Sequence, residues 1–125
     1  MTIDDVFILA ESREITPREW KWKPLKIYNG FSHEQRVRKW QAVDLLIRMG
    51  LKNPAKNLKC AICGVDGVCA TLSYHSEDYA SLESEYPLCK NCHYQIHIRF
   101  YSPAAWKELV TKYGNGSKWF EHLSY

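Results

Sequence analysis

The sequence predicts an α+β fold in which a small sheet is stapled by a metal ion and flanked by helices. Three observations carry this. Two short cysteine pairs, Cys60-Ala-Ile-Cys63 and Cys89-Lys-Asn-Cys92, stand on either side of an insert of 25 residues. Helical periodicity and capping signals lie outside the pairs rather than between them. The stretch 68–75 is apolar and reads as one arm of a strand pair.

The chain has 125 residues, 46% hydrophobic and 25% charged, as in an ordinary folded domain. Its length argues for one compact domain with an extended arm. The expected segments are an N-terminal helix and irregular arm (1–31), a helix and basic connector (32–59), the stapled core (60–100) and C-terminal helices (101–125). No run approaches the roughly 18 apolar residues that a membrane span needs. The acidic start, MTIDDVFILAESRE, lacks a basic segment before an apolar one. A cytoplasmic location is therefore expected, with no membrane partner.

In order along the chain, a short helix is expected over 4–10, followed by an arm punctuated by Pro17, Pro24 and Asn29-Gly30. Trp20-Lys21-Trp22-Lys23 alternates aromatic and basic residues. This pattern suits stacking on bases, and it equally suits an arm that lays its indoles on the domain. Ser32 with Gln35 forms a capping box. Val37, Trp40, Val43 or Asp44, and Ile47 then mark the inner face of a helix, with Arg36, Arg38 and Lys39 outward and Gly50 as the stop. A last helix is expected to start at Ser102-Pro103 and to end at Gly114-Asn115-Gly116. Trp119, Phe120 and Leu123 would follow in a short covering turn.

Reduced cysteines in paired CxxC turns point to metal rather than to disulfides. Each turn offers two thiolates, and two facing turns close a tetrahedral site. Cys60, Cys63, Cys89 and Cys92 are therefore expected to hold a structural Zn2+. Cys69, in an apolar stretch, is expected to be a small buried residue. Cys89-Lys-Asn-Cys92-His93 also fits the pattern of c-type haem attachment. That chemistry requires export and leaves Cys60 and Cys63 unexplained, so no haem is expected. A thioredoxin-like redox site would need a CxxC at the end of a strand in a parallel sheet, which the surroundings of Cys60 do not suggest.

After the second knuckle a helix is expected over 92–100. His93 and His97 are four residues apart and project from one face, a clamp for a divalent ion. The alternative is that His97 packs beneath the domain. His75, on the strand side, is the natural third group. The net charge is +3, unevenly spread. Arg48, Lys52, Lys56 and Lys59 occupy a stretch without acids, and Glu77, Asp78, Glu83 and Glu85 occupy one without Lys or Arg. The basic stretch is a candidate nucleic-acid track; two solvated faces are the plainer alternative.

The segment YHSEDYASLESEYPLCKNCHYQIHIRF (74–100), preceded by CAICG, resembles small HNH-type proteins of phages and bacteria. These set a His-Glu-Asp-Tyr-like segment between two zinc knuckles and end in Cys-x-x-Cys-His-x-x-x-His. The resemblance spans 60–100. It implies a ββα-metal (HNH, His-Me finger-like) core, an endonuclease (hydrolase) activity on phosphodiesters, and a second divalent metal, Mg2+, Mn2+ or Ni2+, beside the zinc. His75 would be the catalytic base, His93 and His97 the metal ligands, and Asp78 a further ligand or a turn residue. Two positions depart from the family pattern. Tyr74 and Ser76 flank His75 where a second hairpin group is usual, and no Asn stands between Tyr79 and Leu88 to orient a base. Two functions thus remain in view. One is a metal-dependent nuclease acting on nucleic acid. The other is a catalytically silent zinc module that binds nucleic acid or a protein partner, such as a host factor blocked by a phage protein.

Overall fold

A computed structural model describes residues 1–113. It is α+β: four α-helices and one two-stranded antiparallel sheet among the described residues. In chain order these are α1 (Ile3–Ser12), α2 (His33–Arg48), a 3-10 turn (Ala55–Asn57), β1 (Leu72–Ser76), β2 (Glu85–Cys89), α3 (Lys90–Ile98) and α4 (Pro103–Tyr113). No described helix is long and apolar enough to cross a membrane. The expected turn at Trp119, Phe120 and Leu123, and the glycine stop at Gly114-Asn115-Gly116, lie outside the described residues.

The described chain divides into two compact units, 1–54 with 76–85, and 55–75 with 86–113. The segment 60–100 thus contributes to both, because the tip of its hairpin belongs with the first unit.

In the first unit, both helices begin with capping boxes, Thr2 with Asp5 and Ser32 with Gln35. Each box satisfies amide groups that a helix start leaves without partners. Gly50, at φ +74°, ends α2, with its N–H on Ile47 O and that of Leu51 on Leu46 O. This double closure needs a left-handed residue, which glycine adopts without strain. Ile3, Val6 and Ala10 of α1 pack on Ala42, Leu45 and Leu46 of α2. Asn29 and Gly30 both take positive φ and turn the arm back, so that Tyr28 and Phe31 exchange backbone hydrogen bonds.

Lys39 departs from its expected outward position. It is 1% exposed, and its Nζ donates to Asp78 O at 2.7 Å. Burial holds its pKa below the usual lysine value, with Glu85 and Asp78 acting in the opposite direction. The side chain of Glu85 is shielded too, and burial raises its pKa against the pull of Lys52, 3.4 Å away. Charge alone made Lys39 read as a surface residue; the carbonyl and carboxylate of the hairpin tip make its burial tolerable.

The second unit packs Leu72, Leu88, Ile96 and Trp106 together with Cys60, Cys89 and Cys92. Its strand starts later than the apolar run suggested. Asp66 Oδ1 accepts from the N–H groups of both Val68 and Cys69, which commits 66–69 to a turn. Val68 is consequently 94% exposed, and Cys69 is exposed rather than buried. Gly67 lies in this turn against the 3-10 turn, where an added Cβ would come within 1.8 Å of Lys56 O.

Because that contact is with backbone, Gly67→Ala must displace the turn. It is expected to cost about 2 kcal/mol or more. Thermal unfolding compared with Gly64→Ala, which meets no atom within 4 Å but sits at φ +78°, checks this.

Candidate metal centres

Two clusters of metal-ligating side chains form in the second unit. The first brings together Cys60, Cys63, Cys89 and Cys92, whose sulfurs all lie within 4.8 Å of one another. Local backbone chemistry explains the convergence. Lys59 and Asp66 pair as an antiparallel bridge, and between them Cys60 N–H donates to Val65 O and Gly64 N–H to Cys60 O. Gly64, at φ +78°, permits this tight return. Ala61 N–H donates to Pro87 O, which holds the first knuckle beside β2. The second knuckle straddles the junction of β2 and α3. Cys89 ends the strand and caps the helix, its Sγ accepting from Cys92 N–H at 3.5 Å. The positive end of α3 favours thiolates there.

The sulfurs disturb one another. The Cys92 thiol donates to Cys60 and pulls the Cys60 pKa well down, and the same bond pushes that of Cys92 up. Burial raises Cys63, whose Sγ is 3.7 Å from that of Cys89. Four sulfurs this close cannot all ionise without a compensating cation. Three of the four residues are buried, and the donor set is a closed group of four thiols, so the cluster can hold a divalent metal of the structural kind. Cys69 is not part of it. Asp66 raises its thiol pKa.

The second cluster is His75, His93 and His97, with one ring nitrogen from each within 4.8 Å of the others. Ring centroids are 4.9–5.1 Å apart. His93 and His97 share a face of α3, one helical turn apart. His75 comes from β1 and is 1% exposed. Strand alternation puts Ser73 on the same face of β1 as His75, and Ser73 Oγ lies 2.9 Å from His93 Nδ1. The pairing of the two helix histidines and the third group were legible from spacing; Ser73 was not, because only the folded register shows what a hydroxyl two residues from His75 can reach.

The remaining site residues lie elsewhere. Asp78 belongs to the first unit, where its carboxylate accepts from Ala80 N–H at 2.8 Å and Ser81 Oγ at 3.1 Å, as a turn residue does. Arg48 donates to Thr16 O and pairs with Asp44, and Lys52 pairs with Glu85. Lys56 and Lys59 are exposed in the second unit. Two of the four expected phosphate contacts are thus committed to partners of their own unit. No protein-family model, curated protein or solved structure matches the chain.

The four-thiol arrangement makes a direct prediction. The reduced chain takes up a divalent ion that shields Cys60, Cys63, Cys89 and Cys92 from a thiol reagent and leaves Cys69 reactive. Cys92→Ser is expected to cost about 4 kcal/mol or more of stability with the ion present, whereas Cys69→Ser costs nothing measurable. Equal reactivity of all five thiols with and without the ion would contradict the assignment.

Proposed function

We propose that the chain is an HNH-like, metal-dependent nuclease cleaving DNA phosphodiesters, with Zn2+ at the four cysteines and a second divalent ion at the histidines. The observation that carries this reading is the meeting of His75 with His93 and His97 in a cluster separate from the cysteines. Histidines kept only for packing would not be expected to aim three ring nitrogens at one point. The order hairpin, then helix, of β1, β2 and α3 is also that of a ββα-metal core.

The residues fit such an ion. Three imidazoles leave further coordination positions open, as catalytic sites require and closed structural sites do not. A divalent ion held there supplies a Lewis acid for a phosphoryl oxygen and lowers the pKa of a bound water. The chain's own part is orientation. With Nδ1–H of His93 donating to Ser73 Oγ, its Nε2 becomes the coordinating nitrogen, and the ring is held in one tautomer. His75, buried on a strand, is fixed by the sheet. It serves here as a ligand, so the base role expected of it passes to solvent or to the substrate. Zn2+ at the cysteines anchors both the knuckle beside β2 and the first turn of α3, and so sets the distance between the strand and helix histidines.

One observation favours a silent binding module instead. Among the described residues the metal-ligating group is made of His75, His93 and His97 alone, without a carboxylate.

Nicking of supercoiled DNA by the zinc-loaded chain, with Mg2+, Mn2+ or Ni2+ added, separates the two readings. The nuclease reading expects nicking that His93→Ala reduces to background without loss of the cysteine-bound zinc. It also expects Ser73→Ala to weaken binding of the second metal by about tenfold. Absence of nicking with every ion, while zinc remains bound, would leave the silent module.

A further inference from the structure

Three tryptophans gather in the first unit. Trp20 and Trp22 come from the arm and Trp40 from α2. Their ring centroids are 4.9, 5.1 and 5.7 Å apart, with interplanar angles of 69–90°. The arm is pinned rather than loose. Trp20 Nε1–H donates to Lys23 O, Leu25 N–H donates to His33 Nδ1, and Arg36 Nη1–H donates to Lys26 O.

Such a cluster would ordinarily be covered, because an indole in water forfeits a large part of its burial free energy. Trp22 is nevertheless 62% exposed, and Ile27 on the same arm is 77% exposed. The charge around the ring is one-sided. Between residues 18 and 26 stand Arg18, Lys21, Lys23 and Lys26, against Glu19 alone. Arg18 is answered by Asp44 at 3.9 Å. The three lysines are exposed and enter no ion pair among the described residues. In sequence a lysine stands on either side of Trp22.

A fixed, open aromatic ring on an arm that carries exposed lysines has the two chemistries that an unpaired polynucleotide offers in return. Base faces stack on the ring, and phosphates meet the cations. A duplex hides its base faces, and an acidic peptide has no flat π surface to match the indole. We propose that residues 20–26 bind single-stranded nucleic acid, Trp22 stacking on a base and Lys21, Lys23 and Lys26 engaging the flanking phosphates. This holds whether or not the histidine cluster is catalytic. Ring orientation is already set by Trp20 and Trp40, so little freedom is lost on stacking.

The test is fluorescence anisotropy of fluorescein-labelled (dT)12 titrated with the full-length, zinc-loaded chain in buffer without other divalent ions, where cleavage does not interfere. Saturable binding is expected, with Trp22→Ala weakening it by about tenfold and Trp22→Phe retaining most of it. A Lys21→Gln/Lys23→Gln variant should lower the slope of log affinity against log salt by about 1.4. Trp22 is exposed, so its variants should keep the parent's circular dichroism. The proposal is overturned if the oligonucleotide does not bind. It is equally overturned if Trp22→Ala binds as the parent does, or if an unlabelled duplex or inorganic polyphosphate competes as well as unlabelled (dT)12, since charge alone would then explain the binding.

Discussion

Four sulfurs drawn to within 4.8 Å of one another form an arrangement that a folded chain cannot hold cheaply by itself. Thiolates repel at that distance, and thiols at that distance waste the nucleophilic, metal-seeking character for which cysteine is used. A divalent cation held there would resolve the conflict. It would neutralise the sulfurs and tie the knuckle at 60–63 to the junction of β2 and α3. The unit around it is small, with Leu72, Leu88, Ile96 and Trp106 among the few fully apolar residues of its core. A core of this size stabilises a fold only marginally without a staple. Three of the four cysteines are themselves core residues, so the ligand cluster and the hydrophobic core are one structure.

The histidine cluster is tied by the backbone to the cysteine cluster. Cys92 and His93 are consecutive on α3, so whatever fixes the first turn of the helix also fixes where His93 and His97 point. His75 reaches them from β1, whose partner strand β2 ends at Cys89. The zinc we propose at the cysteines would thus be structural in a specific sense: it would set the spacing of a second group of ligands. The first unit solves a different problem. There the hairpin tip is held by the buried Lys39 on Asp78 O and by the half-buried Lys52–Glu85 pair, each charge offset by a polar partner.

Most of this was legible where the signal is local. The CxxC spacing found all four clustered cysteines, the Ser32–Gln35 pair marked the start of α2, and the i, i+4 spacing paired His93 with His97. Signals that depend on distant partners were not legible. Lys39 reads as a surface residue until a carbonyl 39 residues away is brought to it. Cys69 reads as buried because its neighbours are apolar, but Asp66 captures two amides and turns the backbone outward. Asp78 reads equally as a ligand or a turn residue, and only the amide of Ala80 and the hydroxyl of Ser81 decide for the turn. Of the basic stretch, Arg48 and Lys52 have acidic partners that composition could not reveal.

The most direct test of two separate ligand clusters is titration of cobalt(II) into the reduced, metal-free chain, followed by its visible and near-ultraviolet absorption. The account predicts a thiolate-to-cobalt charge-transfer band that saturates at one equivalent with the intense ligand-field bands of tetrahedral coordination. It predicts a second, weaker spectral change without added charge transfer, and loss of that second change alone in His97→Ala. A charge-transfer band that never develops, or that His97→Ala abolishes together with the rest, would contradict it.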